Sequence, residues 1–179
     1  MSEHAPARLW LMRAGFALLM LVILFFHLLP LQTATGGLIW PDLALCFALA
    51  WSVRRPEYVP AVLLAIGFLL TDLLLQRPPG LWAVLALIAC EQLKAQSRGL
   101  RDATLMAEIA SVAIWIIVIS VAYRVILAIL LVDAPAFGPL LLQTAATVIA
   151  YPLVVAVTHS ILGVRKAAPD ELGGKGVRS

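Results

Sequence analysis

Apolar residues run almost unbroken through this chain, in stretches separated by only a few polar residues. Apolar side chains make up 63% of it and charged ones 13%, against about 45–50% and about 25% in a soluble domain. The excess is spread over the whole length. No polar stretch is long enough to fold alone, the longest being 94–102 and the tail after residue 163. This pattern predicts a polytopic membrane protein with no separate catalytic or nucleic-acid-binding domain. The net charge of +3 is not a nucleic-acid signal, because the basic residues sit in short breaks between apolar runs. Cys46 and Cys90 lie in different runs without ligand-like spacing and read as buried free thiols.

The expected fold is all-α: a compact bundle of six transmembrane helices within residues 1–162, followed by a disordered cytoplasmic tail, 163–179. The helices are placed at 9–29, 38–53, 58–76, 81–93, 103–132 and 140–162. The first run is too long for a cleaved signal peptide, and Thr33-Ala34-Thr35 is a poor cleavage site. Trp40-Pro41-Asp42 opens the second helix, since an early Pro with an acid marks a helix start. Pro78-Pro79-Gly80 is a tight turn, 94–102 a basic loop, and Pro152 a kink in the sixth helix that frees the carbonyl of Val148.

Lysine and arginine set the orientation. With the N-terminus inside, eleven of the 13 basic residues fall on the inner side, leaving Arg77 outside and Arg124 within a span. Both termini are then cytoplasmic. Trp40 and Trp82 come near the outer interface, Trp10 and Trp51 near the inner one.

An ionisable group at the centre of a membrane helix costs roughly 2.5–3.5 kcal/mol on insertion scales. Asp72, in an apolar helix, should therefore face other helices. Asp42, Asp72, Arg77 and Arg124 share the outer layer, so a polar cluster is expected there, with Arg124 or Arg77 offsetting Asp72 and, in the same layer, Asp42. Two readings stay open: a partner- or ligand-binding site, or a buried ion pair that holds helix register. On the inner side, Arg54, Arg55, Lys94, Arg98 and Arg101 form a basic surface. Glu91 and Glu108 should pair with Lys94, Arg98 and Arg101 at that interface. His27 and His159 lie at opposite depths, so they make no shared metal site, and neither metal nor cofactor is expected. Nucleophile and phosphate-cradle motifs are absent from the sequence. Small residues spaced by four, such as Ala61 with Ala65 near Gly67, and Ala146 with Ala150, mark faces where helices approach closely.

The chain resembles the MreD family of rod shape-determining membrane proteins. The resemblance covers nearly the whole length. It rests on small size, six apolar spans, Pro41-Asp42 opening the second helix, and Gly67-Phe68 followed by Asp72 and Pro79-Gly80. Thr71 stands where the family would have Gly or Ala, a departure beside the acid. The resemblance implies a non-enzymatic component of the elongation machinery in the bacterial inner membrane, acting in lateral cell-wall synthesis. The implied partners are MreC, and with it MreB, RodA and its transpeptidase partner. The implied fold is similar to the substrate-binding subunits of energy-coupling-factor vitamin transporters. The basic stretch 94–101 would meet either cytoplasmic filaments or anionic membrane lipid.

A second class is consistent with the same residues: a substrate-binding subunit of a small-molecule transporter, with the outer layer as its pocket. What separates the two is whether that layer encloses a cavity or closes as a dry ion pair. A membrane enzyme fits less well, because no carboxylate pair shares a depth with His or Cys.

Overall fold

The computed structural model describes residues 4–29, 40–102, 104–132 and 136–160. The described residues form helices and the turns that join them. They form α1 (His4–Leu28), α2 (Leu43–Arg54), α3 (Ala61–Leu74), α4 (Leu81–Asp102), α5 (Leu105–Ile129) and α6 (Phe137–Ser160), with one 3-10 turn, Pro56–Tyr58, after α2. Three are long and apolar enough to cross a membrane: α1 over Ala7–Leu28, α5 and α6. α2 and α3 are shorter apolar helices. The expected tail 163–179 lies outside the described residues.

Local chemistry sets most helix ends. Asp42 caps α2, its Oδ1 accepting the amide of Leu45 at 2.9 Å. The helix therefore begins after this acid and not at residue 38, because a cap residue stands outside the helical run. Thr104 caps α5 in the same way through the amide of Ala107, at 3.4 Å. α3 closes with Arg77 N–H donating to Asp72 O (3.0 Å) beyond Gln76 at φ 54°. α5 closes with Val132 N–H donating to Leu127 O (3.1 Å) beyond Leu131 at φ 55°. Both are Schellman ends with a side-chain-bearing residue at the left-handed position that usually favours glycine.

A further boundary differs from expectation. The stretch 94–102 is helical and belongs to α4, not to a loop. It contains no proline, and Glu91 pairs with Lys94 one turn on, at 2.7 Å, so nothing in it terminates the helix. α6 runs through Pro152, the position expected within the sixth helix.

The core forms around α2. Every residue from Ala44 to Arg54 is buried. This helix packs chiefly against α4 and α6; α3 and α5 both pack on α4, α5 also meets α6, and α1 lies at the periphery. A short helix buried on all sides must be apolar all round, and α2 is, apart from Ser52 and Arg54. α3 is two-faced. Leu64, Phe68, Thr71 and Asp72 are buried, whereas Val62, Ile66, Leu69 and Leu73 are exposed. The exposed apolar faces continue over α5 (Ile114, Ile117, Val118, Val121, Val125) and α1 (Leu18, Leu21, Phe25). Apolar surface on this scale suits lipid and not water.

Candidate functional site

Asp72 points inward, as its place in an apolar helix requires, and is completely buried. Its Oδ2 accepts the backbone amides of Gly80 (3.0 Å) and Ala83 (3.1 Å). Those amides belong to the N-terminus of α4, whose cap position is Gly80 (φ +87°). Glycine has no side chain to cap with. Asp72 supplies the missing acceptor from the preceding helix, where the helix dipole also favours a negative charge. Oδ1 has no hydrogen-bond partner among the described residues.

The expected pairing of Asp72 with Arg77 or Arg124 is therefore replaced by backbone amides. Arg77 meets the other expected acid, Asp42: its Nη1 is 3.9 Å from Asp42 Oδ2, and its guanidinium lies 5.4 Å from the centre of the Trp82 ring. Arg124 stacks 5.2 Å over Phe137, where α5 meets α6. The physical reason is reach. The turn 78–80 brings free N–H groups directly under Asp72, and a helix end satisfies a carboxylate without a second buried charge. Gly67, the remaining candidate, serves the α1–α3 contact. A Cβ there would lie 3.2 Å from the methyl of Met20.

Asp42 and Arg77 stand between two cavities. The larger, about 540 Å³, lies between the Asp72-end turns of α1 and the ends of α2 and α3, and includes His27, Trp40, Thr71 and Leu75. The smaller, about 160 Å³, is lined by Trp82, Ser120, Tyr123, Gln143, Thr144 and Thr147. Asp42 and Arg77 line both. Asp42 N–H also donates to Thr147 Oγ1 at 3.0 Å, tying the start of α2 to α6.

At the other end of α2 the structure holds a cluster that residue-by-residue depth did not reveal. Glu108 is fully buried and takes Arg54 Nε at 3.2 Å and Arg54 Nη2 at 3.5 Å. The Tyr151 hydroxyl donates to the same carboxylate at 3.0 Å. Arg54 was expected on a basic surface, but it is only 6% exposed. Glu108 was expected to pair with Lys94, Arg98 or Arg101; it meets Arg54 and Tyr151 because helix packing turns all three toward the α2–α6 seam, which is tertiary information. The other expected basic residues are partly sheltered and paired. Arg55 lies 3.4 Å from Glu57. Lys94 meets Glu91 and donates to Val59 O. The side chains of Arg98 and Arg101 lie outside the described residues.

Among the described residues there is no group of three or more His, Cys, Asp or Glu that could hold a metal. Cys46 and Cys90 are buried free thiols. Together the fold and the site define an all-helical protein with helices long enough to span a membrane and ionisable groups clustered at both ends of its buried central helix. No family model, curated protein or solved structure matches the chain.

Proposed function

We propose that this chain is a non-enzymatic scaffold of the MreD kind. In this reading it is embedded in the bacterial inner membrane through all six helices, with both termini in the cytoplasm. It holds MreC, and through it MreB, RodA and the transpeptidase of the elongation machinery, in one arrangement. The observation that carries the reading is the Asp72 clamp. Of the residues on which the resemblance rests, Gly67 lies against Met20 of α1, Phe68 and Asp72 are buried, and the Gly80 N–H donates to the Asp72 carboxylate. A rigid α3–α4 pair with exposed apolar ridges suits a protein that acts by presenting helix faces to partner helices.

Affinity capture from gently solubilised native membranes, with partners identified by mass spectrometry, tests this. A single-span MreC-like protein and cell-wall synthesis proteins are expected. Recovery of a pair of ATPases with a membrane coupling subunit would sink the scaffold reading.

One observation favours that second reading, a vitamin-type substrate-binding subunit of a transporter similar in fold to energy-coupling-factor components. Asp42 and Arg77 line a partly open cavity of about 540 Å³, within the ~300–1,000 Å³ range of small-molecule sites.

A further inference from the structure

The large cavity has an asymmetry that packing alone does not require. Away from the Asp72 end, α1 is held tightly. Phe16 meets Trp51 at 5.2 Å, and Arg13 Nε donates to Glu57 O at 3.2 Å. Beyond Leu24 its side chains lose that cover, and Phe25, Phe26, Leu28 and Leu29 are exposed. The space so formed has apolar walls, among them Leu24, Ala44 and Leu75, and its charged groups are Asp42 and Arg77.

Arg77 is the unusual member. A guanidinium has five N–H donors in a fixed fork. Here it has no hydrogen-bond acceptor among the described residues. The closest carboxylate oxygen is 3.9 Å away, and the Trp82 ring takes one face. Asp42 keeps its Oδ1 on the α2 cap and turns only Oδ2 toward Arg77. A cation of this kind beside an apolar chamber has the chemistry for a tail and an anionic head. Asp42 then selects among anions. Its negative charge penalises a phosphomonoester, with ≈ −1.5 to −2 charges near pH 7, more than a singly charged phosphodiester.

The geometry points to a binding site for a phosphodiester amphiphile, a membrane phospholipid in chemical class, with a chain in the cavity and the phosphate on Arg77. The site does not depend on which partners the protein has, so it stands or falls separately from the scaffold reading.

The test uses the purified full-length protein in detergent, with binding followed by native mass spectrometry. Three probes are titrated: a short-chain phosphatidylglycerol, the diacylglycerol of the same chains, and inorganic phosphate. Wild type is expected to prefer the phospholipid to the other two. Arg77→Gln should lower phospholipid affinity by about tenfold or more and leave diacylglycerol binding unchanged. Equal phospholipid binding by wild type and Arg77→Gln overturns the proposal. So does inorganic phosphate binding as tightly as the lipid, which would make this a site for a free anion. Should Arg77→Gln not fold, Ala44→Phe fills the cavity with Arg77 intact. It must lose the phospholipid, and retention of wild-type affinity overturns the proposal equally.

Discussion

The amide of Ala83 donates to the carboxylate of Asp72 at 3.1 Å, so a side chain of one helix caps the next. The contact spans a turn of only a few residues and joins α3 rigidly to α4. It also explains how an acid can be completely buried in an apolar bundle without a hydrogen-bonded cation. The free N–H groups of a helix end do that work.

Asp72→Ala should therefore destabilise the protein by about 1–2 kcal/mol, the range of a lost cap with a favourable helix-dipole contribution. Asp72→Asn keeps an acceptor and should fall between the two. Thermal unfolding in detergent measures this. Under the proposed function, Asp72→Ala at normal protein level should also disturb cell shape, and wild-type shape at normal level would falsify a functional role for the clamp.

The Arg54–Glu108 pair is buried at both partners. Removing either one alone strands a charge, at a cost of about 3–5 kcal/mol. Arg54→Met or Glu108→Leu should each greatly reduce the folded yield, while the double variant should recover much of it. A double-mutant cycle on thermal stability decides. Additive losses would mean the two side chains do not act as a pair.

Gln76 holds the left-handed position at the end of α3, with φ 54°. That conformation costs a residue with a Cβ roughly 1–2 kcal/mol. Gln76→Gly should raise stability by about 0.5–1 kcal/mol, the conformational relief less the extra entropy glycine loses on folding. A lowered unfolding temperature would show that the Gln76 side chain makes a contact worth more than the backbone relief.

The two buried native thiols should resist a membrane-impermeant maleimide until the protein is unfolded. Against that silent background, single cysteines report orientation. Gln96→Cys, on an exposed face of α4, should label only after permeabilisation. Leu131→Cys, which replaces a side chain 93% exposed at the end of α5, should label from outside intact cells. The reverse pattern would invert the proposed topology.

Helical class, six helices and the inward turn of Asp72 could be read directly from residues. Long apolar runs have one stable solution in lipid, and a lone acid in such a run cannot face lipid cheaply. The caps Asp42 and Thr104 are local too, yet the helix starts were expected at 38 and 103, and the observed helices begin at Leu43 and Leu105. The extent of α4 was less legible. Polar residues after Leu93 mark an exit from the apolar layer, and such an exit does not by itself end a helix.

What the tertiary structure alone decided is which polar groups meet. Depth along each helix follows from position, but the direction a side chain faces around the bundle follows from packing. So Arg77 goes to Asp42 and Trp82, Asp72 goes to the amides of Gly80 and Ala83, and Arg54 leaves the surface for Glu108 and Tyr151. The central place of α2, and the cavity beside the outlying end of α1, come from the same source. The sequence determined the kinds of group present at each level of the bundle, through hydrophobicity and spacing. Their pairing was settled by which helices pack together, a long-range outcome that no local pattern encodes.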